Sequence, residues 1–230
     1  EDAKLRPVLD AAPLLGLVAS GVSSGRRADI DIERGWVEPA NGQRFDVLGA
    51  KLVVANTAQR PALLEMTIPA QGRLDGLLAF LSAPSLKNLV GLPADAAVTE
   101  GAFQGQASIV LPMSQSPAAK DTRIDIRAET KGVVIDNIFK GERLEAGAFT
   151  FISRSGQVTG KGEGRILGTS NQIEFRSDAV KGVVATVRTT LDEALLVRRG
   201  IGLRPAVTGP INAMITLPFG KPGAAVDIEL

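Results

Sequence analysis

"TRIDIRAE", residues 122 to 129, sets Ile124, Ile126 and Ala128 against Arg123, Asp125, Arg127 and Glu129. Side chains along a strand alternate between two faces, so this spacing predicts a strand with one oily side and one wet side. "RADIDIE", residues 27 to 33, repeats the arrangement with Ile30 and Ile32 opposite Asp29, Asp31 and Glu33. "LLEMTIPA" (63–70), "GAFTFIS" (147–153), "NQIEFRS" (171–177) and "GVVATVRTT" (182–190) are of the same short, half-buried kind, with Gly, Asn, Ser and Pro clusters between them. The expected fold is mainly β, with antiparallel strands.

Two segments leave this period. "LDGLLAFLSAPSLKNLVGL", residues 74 to 92, carries Leu74, Leu77, Leu78 and Leu81 at helical spacing before Pro84 interrupts it. "LDEALLVRRGIGL", from Leu191, has Leu191, Ala194, Leu195 and Arg198 at similar spacing, which predicts a second short helix over 191–199 ending at Gly200. Each leads into nearly the same phrase: "QASIVLPMS" (106–114) and "NAMITLPFG" (212–220) share an Ala-x-Ile-x-Leu-Pro core. A third pair of anchors, "GQRFDVLGAKLVV" from Gly42 and "GERLEAGAFTFI" from Gly141, occurs in the same order.

That order predicts two divergent repeats, residues 29 to 114 and 120 to 230, with residues 1 to 28 finishing a preceding unit. Each repeat is read as strands, a helix and a closing strand that Pro112 or Pro218 ends. Spacing between copies differs from anchor to anchor, so the copies differ by insertions. "SQSPAAKD" (114–121) is the connector.

Composition excludes more than it suggests. The 230 residues are 44% hydrophobic and can bury a substantial core. Lys and Arg number 26 against 25 Asp and Glu, a net charge of +1 that gives no bias toward nucleic acid. There is no His and no Cys, which removes the commonest metal ligands, cysteine nucleophiles, disulfides and histidine bases together. The opening "EDAKLRPVLD" has no initiating Met, basic region or long apolar run, and reads as a cut inside a larger protein or a processed end.

Motifs that hint at chemistry each have a plainer reading. "GVSSG" (21–25) matches a nucleophile elbow around Ser23, but that serine has no histidine to take its proton. "TGKGEGRI" (159–166) lacks the order of a phosphate or dinucleotide loop; Gly160, Gly162 and Gly164 instead clear one strand face for a bend or a close approach. Asp29 with Asp31, and Glu142 with Glu145, read as wet strand faces, and Arg198 with Arg199 as a helix terminus. No catalytic, cofactor or metal site is expected, and the chain is read as a non-enzyme.

What remains is aliphatic and aromatic surface. Ile109, Leu111 and Met113 fall on one parity, as do Ile215, Leu217 and Phe219, while Phe149 with Phe151 and Ile173 with Phe175 make shorter pairs. A closed β-sandwich core and an open, curved sheet whose concave face holds an aliphatic ligand both require such faces, and periodicity leaves both open.

The passage from "GAFQGQASIVLPM" to "TSNQIEFR" resembles the repeat region of AsmA-like proteins of Gram-negative envelopes, of the YhdP and TamB type. The shared plan is a strand ending in Leu111-Pro112, a strand pair around Ala128-Glu129, a turn and strand at Leu144-Glu145, and the glycine run Gly160 to Gly164. The resemblance implies a periplasmic portion of an inner-membrane-anchored parent, built from curved β units forming a groove. It further implies phospholipid or fatty acyl chains as cargo between inner and outer membranes, and neighbouring repeat units as partners. On that reading the ten apolar residues above are groove candidates. The alternative is a structural or assembly β module of the envelope that binds no lipid.

Overall fold

The computed structural model describes residues 10–84, 86, 98–114, 121–139, 142–166, 168–178, 182–191, 211–218 and 227–229. Twelve strands form one sheet in strict chain order, and every neighbouring pair is antiparallel. They are β1 (Leu14–Ser24), β2 (Arg27–Val37), β3 (Phe45–Val54), β4 (Ala62–Arg73), β5 (Val98–Met113), β6 (Arg123–Phe139), β7 (Glu142–Arg154), β8 (Gln157–Ile166), β9 (Thr169–Asp178), β10 (Gly182–Leu191), β11 (Ile211–Pro218) and β12 (Asp227–Glu229). Among the described residues β1 pairs only with β2, and β12 only with β11, so the described sheet is open. The mainly antiparallel β expectation holds. The sandwich alternative, which needs two sheets, does not describe this single one.

The connector at 114–121 does not divide the sheet, because β5 and β6 on its two sides pair from Val98 with Ile135 to Val110 with Arg123. The proposed boundary between residues 28 and 29 falls inside β2, which pairs along its length with β1.

A helix, α1 (Leu74–Leu81), follows β4 directly in the connection to β5. Its leucines recur at helical spacing, and the turn at Ser82 closes it with the Ser82 N–H and hydroxyl both donating to the Leu78 carbonyl. Helix expected over 74–92 is thus described as a helix only to Leu81; Pro84 and Leu86 are again helical, and 87–97 lie outside the described residues. The second helix, expected over 191–199, needs a correction at its start. Leu191 is the last residue of β10, paired with Ile211, because backbone pairing with β11 continues through it. Residues 192–199 lie outside the described residues.

Proline positions follow the pairing limits. Pro112 faces Leu63 of β4, where β6 has already left β5 at Val110, so its missing N–H breaks no ladder on that side. Pro218 faces Val184 in the same way, beyond the reach of β12, which pairs only with residues 214–216. Pro69, inside β4, sits opposite a bulge in which Leu48, Gly49 and Ala50 of β3 face Ile68 and Pro69. Gly49 has φ +71° there, a left-handed conformation suited to glycine. A second bulge sets Ala146 (φ +51°) and Gly147 of β7 against Gly164 of β8.

The sheet curls. Spread flat, β1 and β10 would lie about 43 Å apart at 4.8 Å per strand spacing. Yet Leu14 of β1 and Val183 of β10 border the same cavity, and one continuous apolar cluster runs from Leu14 through Phe103 and Leu144 to Val187. Burial of that inner face supplies the main driving force for the fold.

Candidate functional site

The inner face is packed unevenly. Over β7 to β10 it is dense: Leu144 and Ile173 are 0% exposed, and Val158, Phe175, Ala185 and Val187 are buried around them. Phe149 meets Phe175 edge-on at 5.3 Å between ring centres, and Phe151 lies 5.3 Å from Phe175. The glycine run in β8 makes room for these rings. A Cβ at Gly160 would come within 2.6 Å of the Phe151 ring, and one at Gly162 would strike the Ala148 carbonyl oxygen and the Phe149 ring. The close approach expected over Gly160, Gly162 and Gly164 is that of the side chains of β7.

Over β4 to β6 the same face is thinner. Ile68, Ala70, Ala107, Ile109, Ile126 and Ala128 are only half-buried, and they border a cavity of about 240 Å³. Every strand from β1 to β10 contributes to its wall, together with Leu74, Leu77, Leu78, Phe80 and Leu81 of α1. The wall is almost entirely carbon. That volume exceeds the roughly 150 Å³ of apolar cavities that stay dry in water and take up benzene. Its chemistry suits the burial of an aliphatic or aromatic group.

The sequence-chosen residues divide by position. Ile109, Phe149, Phe151 and Phe175 border the cavity. Leu111 and Ile215 are half-buried against the same apolar cluster, and Ile173 belongs to the packed core beside it. Met113 lies on the same strand parity but is 54% exposed at the end of β5. Leu217 pairs with Ala185 in β11, and nothing is described of its side chain; Phe219 lies outside the described residues.

Sequence reasoning passed over Val37, Phe45 and Phe103, which also form the wall, and the leucines of α1. Phe45 was in view inside an anchor phrase, and it contacts Phe80 and Phe103 edge-on at 5.6 and 5.7 Å. The missing signal was long-range: nothing local in α1 says which end of the sheet it covers.

The outer face is a lattice of short ion pairs. Arg27 donates two hydrogen bonds of 2.7 Å to Asp29, Arg44 pairs with Asp46, and Arg73 donates to both oxygens of Asp75. The bond from Arg27 holds the Asp29 carboxyl below its ordinary range, and that from Arg73 does the same for Asp75. These are exposed i, i+2 pairs on strand faces or at the strand-helix junction, the wet side that the alternation required. Among the described residues no group of three acidic side chains could hold a metal ion. Ser23 pairs with Ala28 in the β1–β2 hairpin, so a strand rather than a helix follows the "GVSSG" stretch.

No protein-family model, curated protein or solved structure matches this chain.

Proposed function

We propose that this chain is a non-catalytic part of an AsmA-like envelope protein, in which the apolar interior of the curled sheet forms a groove for phospholipid or fatty acyl chains. In this reading the parent is anchored in the inner membrane, the described sheet stands in the periplasm, and lipid tails pass along it between the two membranes. The observation that carries the proposal is the carbon-walled cavity of about 240 Å³ between β1 and β10. A tail crossing water loses about 0.8 kcal/mol per CH₂, a penalty of order 10 kcal/mol for a whole chain. Such a wall removes much of that penalty. Aliphatic side chains suit the task because tails offer nothing polar to recognise.

The repeat reading gains support from the bulges. Both anchor phrases enter the sheet with a buried apolar residue, Phe45 or Leu144, and both then bulge at the following Gly-Ala region with a left-handed residue, Gly49 or Ala146. Matching β3 to β7, β4 to β10 and β5 to β11 makes the β8–β9 hairpin the insertion that separates the copies.

Native mass spectrometry of the purified protein, with lipid extraction, tests the function. Stoichiometric phospholipid or fatty acid supports it; a lipid-free protein that takes up no added fatty acid refutes it. A second reading, a structural β module of the envelope, is favoured by the close packing around Leu144 and Ile173, which are 0% exposed and leave no room for a guest beside them.

A further inference from the structure

Resting on the acyl-chain reading, we propose that α1 is a hinged lid over the groove, that it lifts each time a lipid loads or moves past it, and that Asn41 is the clasp that sets how often it opens. Neighbouring strands from β1 to β10 are hydrogen-bonded in one continuous run, and an acyl chain cannot pass between paired strands about 4.8 Å apart. Among the described residues α1, with Leu86 beyond it, is the part of the cavity wall outside that ladder. A tail held in the groove leaves its polar head in water on the open concave side, because burying the head would cost more than the tail gains. α1 lies on that side, with Leu77, Leu78 and Phe80 against the cavity. A lipid moving along the groove therefore has to displace it.

The way α1 is held suits a lid. Its polar ties to the sheet are all at the first turn. The Asn41 side-chain amide, in the β2–β3 loop, donates to the Asp75 carbonyl at 3.1 Å, and Arg73, the last residue of β4, donates to both oxygens of the Asp75 carboxylate. From Gly76 to Leu86 the described hydrogen bonds stay within the segment, so apolar contact holds the rest down. That contact is partial: Leu77, Leu78 and Phe80 are half-buried, Phe80 meets Phe45 edge-on, and Leu81, 6% exposed, seats the far end. Arg73 is itself paired with Ala102 in the ladder, which places the joint between Arg73 and Leu74. An eight-residue helix has little stability of its own and is the kind of element that opens locally while the strands beneath it stay paired.

Asn41 and Arg73 lie outside the cavity wall, so changing either leaves the surface that meets the tail untouched. Stopped-flow mixing with cis-parinaric acid, a fluorescent fatty acid, gives association rates for the intact chain and its variants, and displacement by excess palmitate gives dissociation rates. Asn41→Ala is expected to lower the protection of the Leu77 and Leu78 amides about fivefold, the weight of one ordinary hydrogen bond, and to speed both rates by the same factor with Kd unchanged. Arg73→Gln, which frees the same turn from the other side, should act in the same direction. Lowered protection with unchanged rates puts α1 off the path and overturns the lid. A weaker Kd at an unchanged association rate does so too, since it marks α1 as fixed wall, and so does unchanged protection in both variants. If the unaltered protein binds no parinaric acid, the acyl-chain reading itself falls, and the lid with it.

Discussion

Ile109 and Ile173 are alike in the sequence, each on the oily side of a strand, yet they sit in different surroundings. Ile173 is fully buried, its strand neighbours being Gly162 and Val187, and it is not part of the wall of the 240 Å³ cavity. Cutting it to Ala removes buried carbon and opens a void that tight packing cannot close, a loss of about 4 kcal/mol. Ile109 is half-buried and already borders open space. Ile109→Ala enlarges an existing cavity and forfeits only part of a transfer free energy, about 1 kcal/mol. Urea unfolding measures both: with an unchanged slope, the midpoint should fall several times further for Ile173→Ala than for Ile109→Ala. Fatty-acid affinity should respond in the reverse order, with Ile109→Asp weakening it at least tenfold because a carboxylate in a carbon-walled cavity must stay hydrated or take up a proton. Equal losses of stability near 4 kcal/mol at both positions would refute the reasoning, since β5 would then be packed as tightly as β9.

Gly162→Ala drives a methyl group into the Ala148 carbonyl oxygen and the Phe149 ring, and should cost about 2 kcal/mol by thermal or urea unfolding, whereas Gly25→Ala, with open space around its Cβ, should cost less through backbone strain alone. Because Arg73 depresses the Asp75 carboxyl, the pair stabilises the α1 junction above the unfolded carboxylate range and loses that contribution as pH falls through the lowered value. The protection of the Leu77 and Leu78 amides, their exchange relative to an unstructured amide at the same pH, should therefore fall in acid, below about pH 4, and in Asp75→Asn it should be lower and independent of pH across that range. Among the described residues β1 is an edge of eleven residues, Leu14–Ser24, with no charged side chain and no proline, so the protein should associate through it at high concentration. Val18→Lys should shift sedimentation toward monomer without changing the unfolding midpoint by more than about 0.5 kcal/mol.

Strand identity was legible because it is local. The alternation in "TRIDIRAE" and "RADIDIE" follows from pleating alone, and the strands read over 63–70, 147–153, 171–177 and 182–190 fall in β4, β7, β9 and β10. Solvent exposure was less legible. Ile30 and Ile32 share a face in sequence, but Ile32 is 4% exposed and Ile30 43%, since exposure depends on distance from the end of a curled sheet. The glycine run showed that something would come close; that the visitor is Phe149 and Phe151 depends on the β7–β8 register, which a single strand does not encode. The wall residues Val37, Phe45 and Phe103 come together only after the strands have paired, so no window of sequence contains them.

The uneven packing itself bears on which reading is stronger. A sheet that served only as structure would gain by filling its interior, because every unfilled volume forfeits dispersion contacts along its lining. This chain fills its interior over β7 to β10 with three phenylalanines and clears β8 of side chains to seat two of them. It has the means to pack closely, then, yet over β4 to β6 it places Ala70, Ala107 and Ala128 along the wall where larger residues would close the space. Small side chains there maintain a void at a cost in stability. A guest of matching chemistry would recover that cost on binding, and ligand occupancy should raise the unfolding midpoint in proportion to the logarithm of free ligand above its Kd. An unoccupied structural module would gain from Ala107→Leu or Ala128→Leu, whereas a lipid-holding one should gain stability in the same variants and lose affinity for the tail. Measuring both quantities on one variant separates the two, and a stabilised Ala107→Leu protein that still binds palmitate at full strength would exclude this cavity as the place where the chain lies.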